Sequence, residues 1–109
     1  GFGFHFYSIG KQYGPFDLAL IDCGQYNKAW KNTHMFPEEA VQASQALEAN
    51  YFMPIHWGAF TLSTHTWIEP IERALFKSKE VGQKIIAPQI GEIMSLKHLK
   101  PDYKNWWVQ

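Results

Sequence analysis

The sequence predicts an α/β fold with a strand-helix-strand core, and three features of its 109 residues carry that reading. The segment Phe16 to Cys23, FDLALIDC, holds a continuous apolar stretch with Gly24 behind it, which suits a strand covered on both faces. Pro37-Glu38-Glu39 opens a helical segment long enough for a right-handed crossover. A second apolar run, Tyr51 to Ile55, ends at His56, so the two strands run parallel and bring their carboxyl ends to one edge.

Taken in order, Phe6, Ile9 and Tyr13 fall at helical spacing, and Gly14-Pro15 closes a short helix over Phe4 to Tyr13. The strand Phe16 to Cys23 follows. Asn27 to Thr33 is polar and basic apart from Trp30 and reads as a loop, with His34 just beyond it. In the helix that starts at Pro37, the acids Glu38 and Glu39 favour the positive end of the dipole, and Ala40, Ala43, Ser44 and Leu47 form the inward stripe. Phe36 occupies the cap position without an acceptor, so the cap must come from elsewhere. After the strand Tyr51 to Ile55, a second helix is predicted over Ile68 to Val81, with Ile71, Ala74 and Leu75 inward and Gly82 as its stop. Lys84 to Ala87 and Glu92 to Leu96 are short C-terminal strand candidates. The segment 97–109 is a basic aromatic tail. Its tryptophans are expected to dock on the body or on another chain, with an interfacial membrane contact as the secondary reading.

Composition narrows the function. Lys plus Arg equals Asp plus Glu at 10 each, so no global field recruits nucleic acid or an anionic membrane. A single cysteine, Cys23, rules out an intrachain disulfide and points to a reducing, cytoplasmic setting. No apolar run approaches the roughly 18 residues of a spanning helix. The opening Gly1-Phe2-Gly3-Phe4, with no initiator methionine, reads as a truncation, and the 17% aromatic content suggests surface that wants a partner.

Motifs for dinucleotides, phosphate loops, zinc peptidases, paired cysteines and serine hydrolases are all missing. What remains is a rim: Asp22 and Cys23 end the first strand, His34 lies in the connection leaving it, and His56 ends the second strand. In open α/β sheets that edge is where ligands collect. The residues alone leave His56 equally open to metal ligation and to a plain hydrogen bond with a backbone carbonyl. Asp22 and Cys23 are set aside as ligands, since a buried inert thiol beside a capped loop is the commoner outcome for such a dipeptide. His5 is assigned to packing, His65 and His98 to the surface, and Trp57 and Phe60 to sealing the core.

The segments KQYGPFDLAL, THMFPEEAVQA and MPIHWGAF, in this order, resemble the C-terminal half of the metallo-β-lactamase-fold hydrolases, in the branch that includes N-acylphosphatidylethanolamine-hydrolysing phospholipase D and its bacterial relatives. The likeness runs from Gly1 to about Thr61 and returns faintly over Ile90 to Leu96. It implies a single partial domain over 1–109, half of an αββα metallo-β-lactamase sandwich with short C-terminal strands. It also implies that His56, in IHWG, is the last metal-binding histidine, and that His34 stands near the metals as a catalytic group for substrate orientation or proton transfer. Gly1-Phe2 would end a Gly-Asp-Ser/Thr-Gly-Tyr/Phe motif whose aspartate bridges two metal ions. The HxHxDH motif of the family's N-terminal half has no copy here. Two departures stand out: Asp22-Cys23-Gly24 replaces a proline and a small or apolar residue before the glycine, and the Gln25 to Thr33 loop lacks the usual EPRW stretch.

The implied function is a zinc-dependent hydrolase acting on phosphodiester, phospholipid-like substrates, with two zinc ions in the intact parent and little activity in this portion alone. Its expected partner is the N-terminal half or a second copy. The alternative is a non-catalytic α/β interaction or oligomerisation module.

Overall fold

The computed structural model describes residues 1–60, 62–100 and 104–108. Its elements are α1 (His5–Tyr13), β1 (Phe16–Asp22), a 3-10 turn at Lys28–Trp30, α2 (Pro37–Ala46), β2 (Ala49–Ile55), α3 (Glu69–Val81), β3 (Lys84–Ile85) and a 3-10 turn at Leu96–His98. The strands form one parallel sheet in the order β1-β2-β3. The strand-helix-strand unit is therefore present as the sequence predicts, with Leu18 opposite Tyr51, Leu20 opposite Met53 and Asp22 opposite Ile55.

Helices α2 and α3 pack against each other, and their inward residues Ala40, Val41, Ala43, Ile71 and Ala74 bury against Ala19, Ile21 and Phe52 of the sheet. The small side chains on α2 let the helices lie close over a core whose largest fully buried side chains include Phe52 and Ile71. Leu20 and Ile55, which alternate to the other face, stay 55% and 38% exposed, so that face of the sheet is apolar and, among the described residues, partly uncovered.

Helix ends follow their local chemistry. Glu39 reaches back to accept the Phe36 backbone N–H at 3.0 Å, the reciprocal half of a capping box, while the apolar Phe36 side chain offers the first turn no acceptor. Gly82 ends α3 in the left-handed region at φ 75°, where a side chain would be strained.

Several expectations change. On α1 the packed residues are Phe6 and Gly10, while Ile9 and Tyr13 are 37% and 67% exposed. The helix crosses the end of α2 backbone to backbone at Gly10, and this contact sets the inward face. The strand candidate Lys84 to Ala87 pairs only over Lys84–Ile85, and Ile86 then donates its N–H to the Phe52 carbonyl at 2.9 Å. Glu92 to Leu96 forms no strand. The Glu92 carboxylate accepts the Gln89 N–H and its own N–H returns to the Gln89 carbonyl, both at 2.9 Å, closing a local turn that leaves Ile90 and Ile93 exposed.

Candidate metal centre

The carboxyl edge of the sheet brings Asp22, His34 and His56 together. Asp22 is the last residue of β1, and His56 follows the last residue of β2. The adjacent strand exits are locked by the Cys23 N–H, which donates to the Ile55 carbonyl at 2.9 Å. Gly24 lies so close to the His56 carbonyl that a Cβ could not fit between them. His56 itself sits at φ 67°, a left-handed conformation for a non-glycine residue, which costs of the order of 1–3 kcal/mol and clusters at functional sites. His34 arrives from the connection, with its backbone N–H donating to the Trp30 carbonyl at 2.8 Å. Asn27 braces that turn by accepting the Ala29 N–H at 2.9 Å.

Nδ1 of His56 stands 2.8 Å from Asp22 Oδ1, and Nδ1 of His34 stands 3.0 Å from Asp22 Oδ2. The two imidazoles lie side by side, with centroids 5.4 Å apart and planes 25° apart. Donor atoms of the three side chains all fall within 4.8 Å of one another, and their N and O chemistry suits a divalent ion such as zinc. His34 and His56 open on a cleft of about 370 Å³ lined also by Gln25, Trp30, Thr33 and Leu62. The side chain of His56 is 48% exposed, which leaves it approachable.

Gln25 shapes this cleft. It is buried, and its amide ties the loop after β1 to the loop after β2, accepting N–H groups from Leu62 at 2.7 Å and Ser63 at 2.9 Å and donating to the Phe60 carbonyl. Nothing about a lone glutamine in a polar loop signals a clamp, so Gln25 has no mark in the sequence. Asp22, set aside as a ligand in the sequence, stands between the two histidines. The signal available was an acid at a strand end on the same rim.

Cys23 points the other way, fully buried, with its thiol 3.6 Å from the Pro70 carbonyl. Burial, reinforced by the charges of Asp22 and Glu38, pushes its pKa far up, so it is an inert core thiol as expected. His5 is exposed and rests on the Phe6 ring at 4.2 Å, and His98 is exposed. His65 differs from its surface assignment: it is half-buried, stacked on Tyr26 at 4.2 Å, with Nε2 buried and, among the described residues, lacking a hydrogen-bond partner. The loop folds it under Tyr26, whose hydroxyl donates to Glu69.

A second charged cluster is structural. Arg73 grips Glu38 through two hydrogen bonds of 2.8 and 2.7 Å, and its guanidinium lies 4.9 Å from the centre of the Tyr26 ring. The pair joins α3 to the start of α2, so Glu38 does more than complement the dipole. Around Trp57, Trp106 stacks at 5.5 Å and Trp107 meets it edge-on at 5.7 Å. Trp107 is buried and donates to Glu72 at 2.6 Å, while Trp106 donates to the Ala87 carbonyl at 3.1 Å. Trp57 thus seals the body as expected. Phe60 does not: it is 78% exposed, held at the rim by its backbone bond to Gln25.

Residues 3–57 match the family described as Beta-lactamase superfamily domain. An uncharacterised protein of Mycobacterium tuberculosis is 40% identical over 95 residues, which is 84% of this chain and 26% of that protein. The N-acyl-phosphatidylethanolamine-hydrolyzing phospholipase D 1 of Caenorhabditis elegans is 38% identical over 71 residues, 62% of this chain and 20% of the worm protein. The mitochondrial N-acyl-phosphatidylethanolamine-hydrolyzing phospholipase D of Saccharomyces cerevisiae is 35% identical over 79 residues, 69% of this chain and 17% of the yeast protein. This chain therefore spans about a quarter of the length of the mycobacterial relative.

Proposed function

The chain belongs to the beta-lactamase superfamily, and on that premise we propose that it is the C-terminal portion of a zinc-dependent hydrolase acting on phosphodiesters of a phospholipid-like kind. The observation that carries the reading is the convergence of Asp22, His34 and His56 on the carboxyl edge of the sheet, with donor atoms within 4.8 Å of one another. Likeness to phospholipases of the worm and yeast supports the substrate class. The apolar side chains of Trp30 and Leu62 in the cleft suit a substrate with a hydrocarbon part.

In this reading His56 holds metal, and His34 orients the substrate or takes a proton beside it. Zinc bound there supplies Lewis acidity toward a phosphoryl oxygen and an activated water. Gln25 keeps the loops on either side of the cleft at a fixed separation, and Trp30 walls the side nearest His34. The chain contains no HxHxDH motif, so by itself it is proposed to have little or no activity, with the rest of the metal set coming from an N-terminal partner segment. Among the described residues, no helix is long and apolar enough to cross a membrane. The cytoplasm is the proposed setting, on the strength of the single buried thiol.

The test is reconstitution with an N-terminal half bearing the HxHxDH motif, followed by metal analysis and hydrolysis of a generic phosphodiester. About two zinc ions per complex and turnover that chelation abolishes are the expected outcome. The partly uncovered apolar face around Leu20 and Ile55 favours a second reading, an association module. A tight metal-free dimer that resists reconstitution would replace the first reading with that one.

A further inference from the structure

Asp22 touches both imidazoles of the cluster, with Oδ2 at 3.0 Å from Nδ1 of His34 and Oδ1 at 2.8 Å from Nδ1 of His56. An ionised carboxylate can only accept hydrogen bonds. Each approach is attractive only if Nδ1 carries the ring's proton, because in the other tautomer two lone pairs would face each other at hydrogen-bond range. A neutral ring protonated at Nδ1 keeps its lone pair on Nε2, on the side away from the carboxylate.

Direct coordination by all three residues fits these distances less well. Two ligands at 2.0–2.1 Å from a tetrahedral ion stand about 3.3 Å apart, wider than either Nδ1 to carboxylate separation. Hydrogen bonds match them. The carboxylate is also held by the sheet rather than by a free rotamer alone. Its residue pairs with Ile55, one step before His56, and the Gly24 N–H donates to Oδ1 at 3.4 Å.

We propose that Asp22 is a positioning residue shared by both histidines. It fixes each ring in the Nδ1–H form, so that His56 offers Nε2 to a metal ion and His34 offers Nε2 as a proton acceptor. One carboxylate thereby does for two rings what separate carboxylates do in histidine-metal and histidine-base pairs. What the two Nε2 atoms go on to do rests on the hydrolase reading above, whereas the tautomers do not.

Long-range proton–nitrogen NMR of the histidine side chains decides the matter on the metal-free chain, at a pH where the rings are neutral. The exposed His5 and His98 serve as internal references. In the unaltered protein both His34 and His56 should be protonated at Nδ1. Protonation of either ring at Nε2 overturns the proposal. In D22A both rings should lose that preference. The isosteric D22N can accept from one ring but presents an N–H to the other, so at least one ring should change tautomer. Unchanged tautomers in folded D22A overturn the proposal as well. Zinc titration of the unaltered and D22A proteins, each reconstituted with the N-terminal half, separates the two readings: D22A should bind about 10- to 100-fold more weakly. Expected tautomers with no zinc binding by the unaltered or reconstituted protein would uphold the positioning role and defeat the metal reading.

Discussion

Gly24 and the main-chain carbonyl of His56 are in direct contact, closer than any side chain on residue 24 would permit. The loops leaving β1 and β2 are thereby pressed together where the histidines meet. G24A should force them apart and destabilise the protein by about 1–3 kcal/mol, the usual cost of overpacking. Thermal unfolding reads the loss, and shifted His56 ring resonances report the displaced site. An unaltered melting temperature would show that the contact is slack.

His34 and His56 should separate by phenotype. H56A is expected to lose zinc from the reconstituted protein along with turnover. H34A should keep the metal while the rate falls about 10²- to 10⁴-fold, the range for a lost acid-base group. Metal analysis beside steady-state rates checks both. Zinc loss in H34A would make that ring a ligand instead.

The Arg73–Glu38 pair gives stability a pH dependence of known sign. Burial tends to raise the Glu38 pKa, but the hydrogen bonds and charge of Arg73 outweigh it and hold the carboxyl below its ordinary 4.5. A depressed carboxylate contributes stability above its unfolded pKa and loses it as pH falls through the lower folded value. E38Q should therefore melt below the unaltered protein at pH 7, by an amount equivalent to about 1 kcal/mol given the partial exposure of the pair. The two curves should converge below the ordinary carboxylate range. A gap that persists in acid would mean that shape, not charge, holds the helices.

Trp107 fastens the C-terminal segment beside the site. W107A removes a buried indole that packs on Trp57 and should cost about 3 kcal/mol or more. W107F keeps most of the packing and loses the bond to Glu72, a cost of about 1.5–3 kcal/mol. Denaturant titration ranks the two. Near-native stability in W107A would mean the segment is not docked in solution.

The Cys23 thiol should resist labelling in the native state at pH 8 and react with a disulfide reagent only once the chain is unfolded, because burial and the nearby carboxylates disfavour the thiolate. Stoichiometric reaction of the folded protein within minutes would contradict its enclosure.

The strand-helix-strand unit was legible because each part has a local cause: an apolar run closed by Gly24, a proline and two acids at a helix start, and a second apolar run ending at His56. His34 and His56 could be set on one rim by topology alone. Asp22 could not be ranked, since its meaning lies in two distances across a parallel register that no local pattern encodes. Gln25 escaped for a similar reason, as its partners at residues 60, 62 and 63 come from the other loop. The Glu92 to Leu96 run was a strand candidate because a short apolar-rich segment says nothing about whether a neighbouring edge is within reach. The inward face of α1 was set by a backbone crossing at Gly10, a feature without a side chain to betray it.

The register of β1 on β2 carries an evolutionary corollary. Asp22 meets His56 because the two chains are in step, and a single-residue insertion inside either strand would turn the acid to the opposite surface. Within the crossover, the turn at Lys28–Trp30 that presents His34 and the packed helix α2 are tied down in the same way, since His34 must reach the same carboxylate. A change of count is therefore tolerable only outside the paired strands and outside the turn that presents His34, because both rings must meet one carboxylate.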